Sequence, residues 1–114
     1  MTEFRVTGFD HIVLCVRDVA ATRAFYERVL GMAAREERPG KYSLQFGENK
    51  ISLQDAANSP TIARDTVPGS GNFCLLSDTP VAEWRAHLAA EEVEIIDAGL
   101  RDGATGTIDS LYFR

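Results

Sequence analysis

His11 stands in the run Phe9–Val16, F-D-H-I-V-L-C-V, where every other residue except Asp10 is apolar. Burying an imidazole without a partner costs on the order of 1 to 3 kcal/mol, so the ring needs either a hydrogen bond or a ligand. Two readings meet that need: a neutral ring bonded to a backbone carbonyl, or a ring nitrogen that takes a divalent metal such as Fe, Ni, Mn or Zn. Gln54 ends a second short run, K-I-S-L-Q, in which Lys50, Ser52 and Gln54 share one strand parity while Ile51 and Leu53 share the other. A polar strand face beside a histidine-bearing strand suggests a lined cup, with His11 and Gln54 as metal donors and Ser52 as a substrate contact. A glutamine carbonyl is a weak oxygen ligand and by itself specifies no metal.

Other chemistry-bearing residues read more quietly. Tyr112 has the parity of Ser110 and Arg114, which offers it to the cup as a substrate contact or to the core as packing. Glu83, His87 and Glu91 recur every four residues, away from the stripe of Val81, Trp84 and Leu88, so His87 is expected to be solvated. Cys15 and Cys74 each lie in an apolar run and read as buried, reduced thiols. The segment R-D-G-A-T-G, Arg101 to Gly106, lacks a preceding apolar strand and a P-loop lysine, and reads as a loop able to gate the cup rather than a phosphate cradle.

The bulk properties narrow the class. A chain of 114 residues fits one domain with its own core. Its formal net charge of -5 argues against a nucleic-acid partner, because such binding draws its affinity from clustered Lys and Arg. No apolar run approaches the length of roughly 20 residues that a membrane span needs. The first residues carry Glu3 and Arg5 and no signal-peptide core, so a cytoplasmic location is the expectation.

Periodicity supplies the elements that would position these side chains. After the first strand, Asp18 offers an N-cap, Ala21, Phe25 and Val29 recur at helical spacing, and Gly31 suits the left-handed C-terminal position. Ala33 to Arg38 reads as a strand, Pro39-Gly40 as a turn, and Lys41 to Gly47 and Lys50 to Gln54 as alternating strands around a Gly47-Glu48-Asn49 turn. Asp55 to Gly71, with Pro60, Pro68 and Gly69, reads as a connecting arm. The order then restarts: a strand at Asn72 to Leu76, a helix capped by Thr79 with Pro80 in its first position, and strands at Val93 to Ile96 and Ile108 to Arg114. His11 and Asn72 are offset by the same 61 residues as Asp18 and Thr79, so the expected architecture is a duplicated β-α-β-β-β unit.

Three segments, G-F-D-H-I-V-L-C-V-R-D, F-Y-E-R-V-L-G-M and G-A-T-G-T-I-D-S-L-Y-F-R, together resemble the vicinal oxygen chelate superfamily of glyoxalases, bleomycin-resistance proteins and dioxygenases. The sequence V-P-G-S at Val67 to Ser70 makes it most similar to the glyoxalase-domain-containing group. The resemblance implies an α+β fold in which paired β-α-β-β-β modules, at about 8–54 and 72–114 with an arm at 55–71, form one domain with a cupped mixed sheet. It places His11 on the first-strand metal position, Gln54 on the fourth-strand position, and Asn72 where many members carry a second histidine, here a substrate contact. It also implies a glutamate ligand on a last strand beyond Arg114. The implied function is a metal-dependent enzyme of lyase, isomerase or oxygenase type acting on a small molecule, commonly as a homodimer. The alternative is a metal-free drug- or metabolite-binding module like the bleomycin-resistance proteins.

Overall fold

The structure, a computed structural model, describes residues 3–58 and 62–114. Pro60 and its two neighbours in the expected arm lie outside the described residues. The described chain gathers into two compact units, one reaching to Phe73 and one from Cys74 to Arg114.

The first unit is a β-α-β-β-β arrangement, as the periodicity predicts. Strand β1 (Ile12–Val16) is followed by helix α1 (Val19–Leu30), then β2 (Ala33–Arg38), β3 (Lys41–Phe46) and β4 (Asn49–Asp55). The four strands form a mixed sheet in the order β1-β4-β3-β2, in which β1 runs parallel to β4 and the remaining neighbours are antiparallel. The helix supplies the crossover that lets β1 join a parallel partner. Its ends follow the expected chemistry: Asp18 Oδ1 accepts the Ala21 N–H at 3.0 Å, and Gly31 closes the helix at φ 67°, with its N–H on the Tyr26 carbonyl.

One sheet face carries the core. Leu44 opposes Ile51, which opposes Ile12, and side-chain alternation puts Leu14, Val16 and Leu53 on the same face. The helix packs against β2, β3 and β4, and Val29, Met32, Leu44, Ile51, Leu53 and Val16 are buried. Arg23 of α1 lies 3.8 Å from the ring centre of Tyr42 on β3, whose phenol is pushed above its ordinary range by a hydrogen bond to Glu36. The connecting arm returns to β1: Cys15 Sγ donates to the Thr66 carbonyl at 3.6 Å, and a methyl placed on Gly71 would fall 2.6 Å from Leu14 Cδ1.

β1 is shorter than the alternation suggests, beginning at Ile12 instead of Phe9. The β1 ladder ends at Ile12 although β4 begins two residues before its partner Ile51, so Asp10 and His11 leave the sheet before β4 does.

The second unit departs further from expectation. Asn72 to Leu76 is not a strand, and no strand among the described residues pairs with it. Helix α2 (Val81–Ala90) begins after Pro80, whose extended backbone makes it the N-cap, so Thr79 does not cap it. Trp84 Nε1 donates to Ser77 Oγ at 2.9 Å, tying the helix to the preceding loop. His87 is half-buried edge-on to Trp84, with ring centres 5.4 Å apart, because positions three apart share a helix face. Of the two cysteines, Cys15 is buried as expected and Cys74 is exposed.

The strand expected at Val93 to Ile96 lies later, as β5 (Asp97–Asp102), antiparallel to β6 (Thr107–Tyr112). The Val93 N–H is taken by the Leu88 carbonyl at 2.8 Å, which extends the helix ending, and pairing starts only where the Ile96 N–H reaches the Tyr112 carbonyl.

Candidate functional site

The sheet face opposite α1 is polar, and its register fixes which side chains meet. Ser52 stands opposite Val13 of β1 and Ser43 of β3, Gln54 opposite Cys15, and Lys50 opposite Gln45. Alternation therefore puts Lys50, Ser52, Gln54, Ser43, Gln45 and Cys15 on one face. Ser43 is 0 % exposed, Ser52 5 % and Gln54 9 %, an unusual concentration of buried polar groups for one strand pair.

These groups are wired together. Gln45 Nε2 donates to Ser43 Oγ at 2.8 Å, Lys50 Nζ pairs with a Glu37 carboxylate oxygen at 3.0 Å, and Lys41 Nζ reaches the Leu53 carbonyl at 3.4 Å. Glu37 sits at an irregularity in the β2-β3 pairing, between Glu36 and Arg38, which turns its side chain onto this face. A hydrogen bond from Ser43, then one from Lys50, holds the Glu37 carboxyl below the ordinary carboxylate range.

A group depressed in this way contributes stability above its unfolded pKa and loses it as pH falls through the lower folded value. Lys50→Met is therefore expected to move Glu37 up toward the ordinary range and to narrow the acid window in which its contribution is lost. A carboxyl-carbon NMR titration of wild type and variant measures the shift; an unmoved Glu37 would contradict the pairing.

His11 lies one residue before β1 and half-exposed. Its Nδ1 is 2.7 Å from Asp10 Oδ2. That contact pulls the Asp10 carboxyl below its ordinary value, through the hydrogen bond first and the charge of the ring second. With Nδ1 engaged, Nε2 is the nitrogen left to face a ligand.

The structure brings some of the expected site residues together and keeps others apart. Ser52 and Gln54 share the polar face with the parity of His11. Gln54, however, is opposite Cys15, four residues beyond His11, a separation of about 13 Å along the strand at the usual rise per residue. Ser52, opposite Val13, is only about 7 Å along the strand from His11 by the same rise. Asn72 is exposed in the loop after Gly71, not on a strand.

Tyr112, in the second unit, has Arg101 stacked 5.3 Å from its ring centre, and Arg101 in turn pairs with Asp97 at 3.1 Å. Neither Arg101 nor the Glu37-Lys50 pair stood out in the sequence. Parity would have placed Arg101 with Asp97, but the strand itself was expected elsewhere, and the pairing irregularity at Glu37 has no sequence signature.

Chemically, the first unit offers an imidazole nitrogen at the rim of a buried hydroxyl-and-amide surface. An imidazole nitrogen suits a divalent ion, and a glutamine carbonyl is a weak oxygen donor to one. Among the described residues, no group of three His, Cys, Asp or Glu side chains gathers to hold a metal.

Residues 8–113 match the Glyoxalase/Bleomycin resistance protein/Dioxygenase superfamily. A virulence protein of Salmonella typhimurium is 37% identical over 112 residues, which are 96% of this chain and 77% of that protein. A glyoxalase domain-containing protein of Mycosarcoma maydis is 32% identical over 98% of this chain and 64% of its own length, so the chain spans a little under two thirds of that relative. Among solved structures, an integron cassette protein from the mobile metagenome of V. cholerae superposes with a TM-score of 0.93 at 36% identity, over 99% of this chain and 90% of that one. The fosfomycin resistance protein FosX of Listeria monocytogenes, solved with Mn(II) and a sulfate ion, shares the fold at 18% identity and a TM-score of 0.64, over 96% and 82% of the two chains. With its α+β architecture and this match over nearly its whole length, the chain belongs to the glyoxalase/bleomycin resistance/dioxygenase superfamily.

Proposed function

We propose that the chain is a metal-assisted small-molecule enzyme whose substrate lies on the polar face of the four-stranded sheet, with a divalent ion held through His11 Nε2. The observation that supports this reading is the engagement of Nδ1 by Asp10, which leaves Nε2 as the ring nitrogen for a ligand, just before the strand that pairs with the buried Ser52 and Gln54. Mn(II) bound by FosX, of the same fold, makes manganese the first ion to try, with Fe, Ni and Zn as the other imidazole-compatible choices.

Bound there, a divalent ion supplies Lewis acidity that stabilises negative charge developing on a substrate oxygen. The protein's own part is orientation: Ser52 and Gln54 place hydrogen-bonding groups along the face, and the Glu37-Lys50 pair fixes its floor. Asn72 and Tyr112 are proposed as further substrate contacts, the two units as the halves of one domain, and the working form as a cytoplasmic homodimer. No helix among the described residues is long and apolar enough to cross a membrane.

A second reading is a metal-free module that binds a drug or metabolite, for which the buried Ser43, Ser52 and Gln54 supply the polar surface. Gln54→Ala separates the roles. If Gln54 contacts substrate and not the ion, the variant keeps its Mn(II) affinity within about twofold in an electron paramagnetic resonance titration. A loss of tenfold or more would make Gln54 a ligand beside His11. Absence of Mn(II), Fe, Ni and Zn binding in the wild-type protein would favour the metal-free module.

A further inference from the structure

The β3-β4 hairpin carries one motif twice: Lys41 to Gln45 reads K-Y-S-L-Q and Lys50 to Gln54 reads K-I-S-L-Q. The strands are antiparallel with Ser43 opposite Ser52, so the two copies are related by a local two-fold through the serine pair. Their lysines therefore stand at opposite ends of the polar face, about 13 Å apart along the strands at the usual rise per residue.

The two ends are not alike. Lys50 Nζ is 3.0 Å from Glu37, and its charge contributes, after the contact with His11, to holding the Asp10 carboxyl below its ordinary value. Lys41 Nζ instead meets a backbone group, the Leu53 carbonyl at 3.4 Å, and among the described residues no carboxylate pairs with it. Arg38 stands opposite Lys41 and Arg35 opposite Ser43, which puts both on the same face. Within the paired strands, the cations Arg35, Arg38, Lys41 and Lys50 thus share that face with the single carboxylate of Glu37, in a chain whose formal net charge is -5. Between the two ends lies Ser52, buried, and among the described residues its hydroxyl has no side-chain hydrogen-bond partner. A buried hydroxyl without a partner is costly, and a ligand oxygen would satisfy it.

We infer that the Lys41 end of the polar face is an oxyanion site, at which the Lys41 ammonium and the Ser52 hydroxyl donate to the oxygens of an anionic group on the ligand. The inference rests on the reading of this face as the substrate surface and is independent of an ion at His11. An ammonium has three donors, so the bond to the Leu53 carbonyl leaves two for ligand oxygens. Arg38 adds attraction from the hairpin end. Glu37 closes the matching Lys50 end, so a ligand with one anionic end has one favoured orientation along the face.

The test uses the whole chain, freed of metal with a chelator and labelled with nitrogen-15. It is titrated at constant ionic strength with sodium acetate and, separately, with sodium phosphate. Saturable amide shifts at Lys41 to Ser43 and Ser52 to Gln54 are expected with at least one of the two, and the anion that binds identifies the head group. Lys41→Met, which keeps the apolar stem, should weaken that binding about tenfold or more, as should Ser52→Ala to a smaller degree, while Lys41→Arg should retain most of it.

A wild-type protein that responds to neither anion overturns the site. So do shifts that rise without saturating, that gather at arginines elsewhere such as Arg5 and Arg64, or that persist unchanged in a folded Lys41→Met. Mn(II) uptake without anion binding overturns the site and leaves the ion reading standing. Anion binding without Mn(II) uptake supports the site within a metal-free module.

Discussion

Leu44→Ala is expected to lower the unfolding free energy by about 2 to 5 kcal/mol, the range for emptying a closed aliphatic site. Leu44 is 0 % exposed, stands opposite Ile51 at 1 %, and lies under α1 in the middle of β3. The sheet cannot close over the missing atoms, because β3 is pinned on both sides by β2 and β4. Against a typical domain stability of about 5 to 15 kcal/mol, the loss is a large share of the whole. Urea unfolding would show a lower midpoint at an unchanged slope. A loss under about 1 kcal/mol would mean that this face is not the core of the first unit.

His11→Ala should abolish divalent-ion uptake, a fall in Mn(II) affinity of about a hundredfold or more, since the ring is the donor that the proposed site depends on. Folding should be nearly unaffected: His11 is half-exposed and outside the strand ladder, and surface substitutions of that kind usually cost within about 0.5 kcal/mol. The same substitution removes the partner that depresses Asp10, so the Asp10 carboxyl should return upward toward its ordinary value. A variant that kept full affinity would move the ion away from His11.

The first unit was readable because each of its signals is local. Asp18 and Gly31 cap a helix by side chain and by backbone geometry, and Lys41 to Phe46 alternates as a strand half-buried between two faces must. Asn72 to Leu76 shows the limit: N-F-C-L-L is a credible apolar strand, but a strand exists only with a partner, and partners are not written in a five-residue pattern. β5 was misplaced by a similar confusion. Val93 to Ile96 is the more apolar stretch, yet the Leu88 carbonyl takes the Val93 N–H, and the less hydrophobic Asp97–Asp102 forms the ladder.

The candidate site divides the same way. Parity correctly assigned Ser52 and Gln54 to one polar face, because alternation is a property of any strand. It did not tell how far each lies from His11 along the sheet. That distance is set by the parallel register of β1 against β4, which depends on a helical crossover and a turn remote from both residues. The contact of Asp10 with the His11 ring was not legible either, since it forms where β1 has not yet begun.

The central claim, a divalent ion on His11 at the rim of the polar face, is tested most directly by paramagnetic broadening. Sub-stoichiometric Mn(II) is added to nitrogen-15-labelled protein and amide signals are followed residue by residue. The account predicts selective loss of signal around His11 and Ile12 and across the sheet at Lys50 to Ser52, absent in His11→Ala. Broadening confined to acidic surface stretches such as Glu91 to Glu94, or identical in the His11 variant, would contradict it.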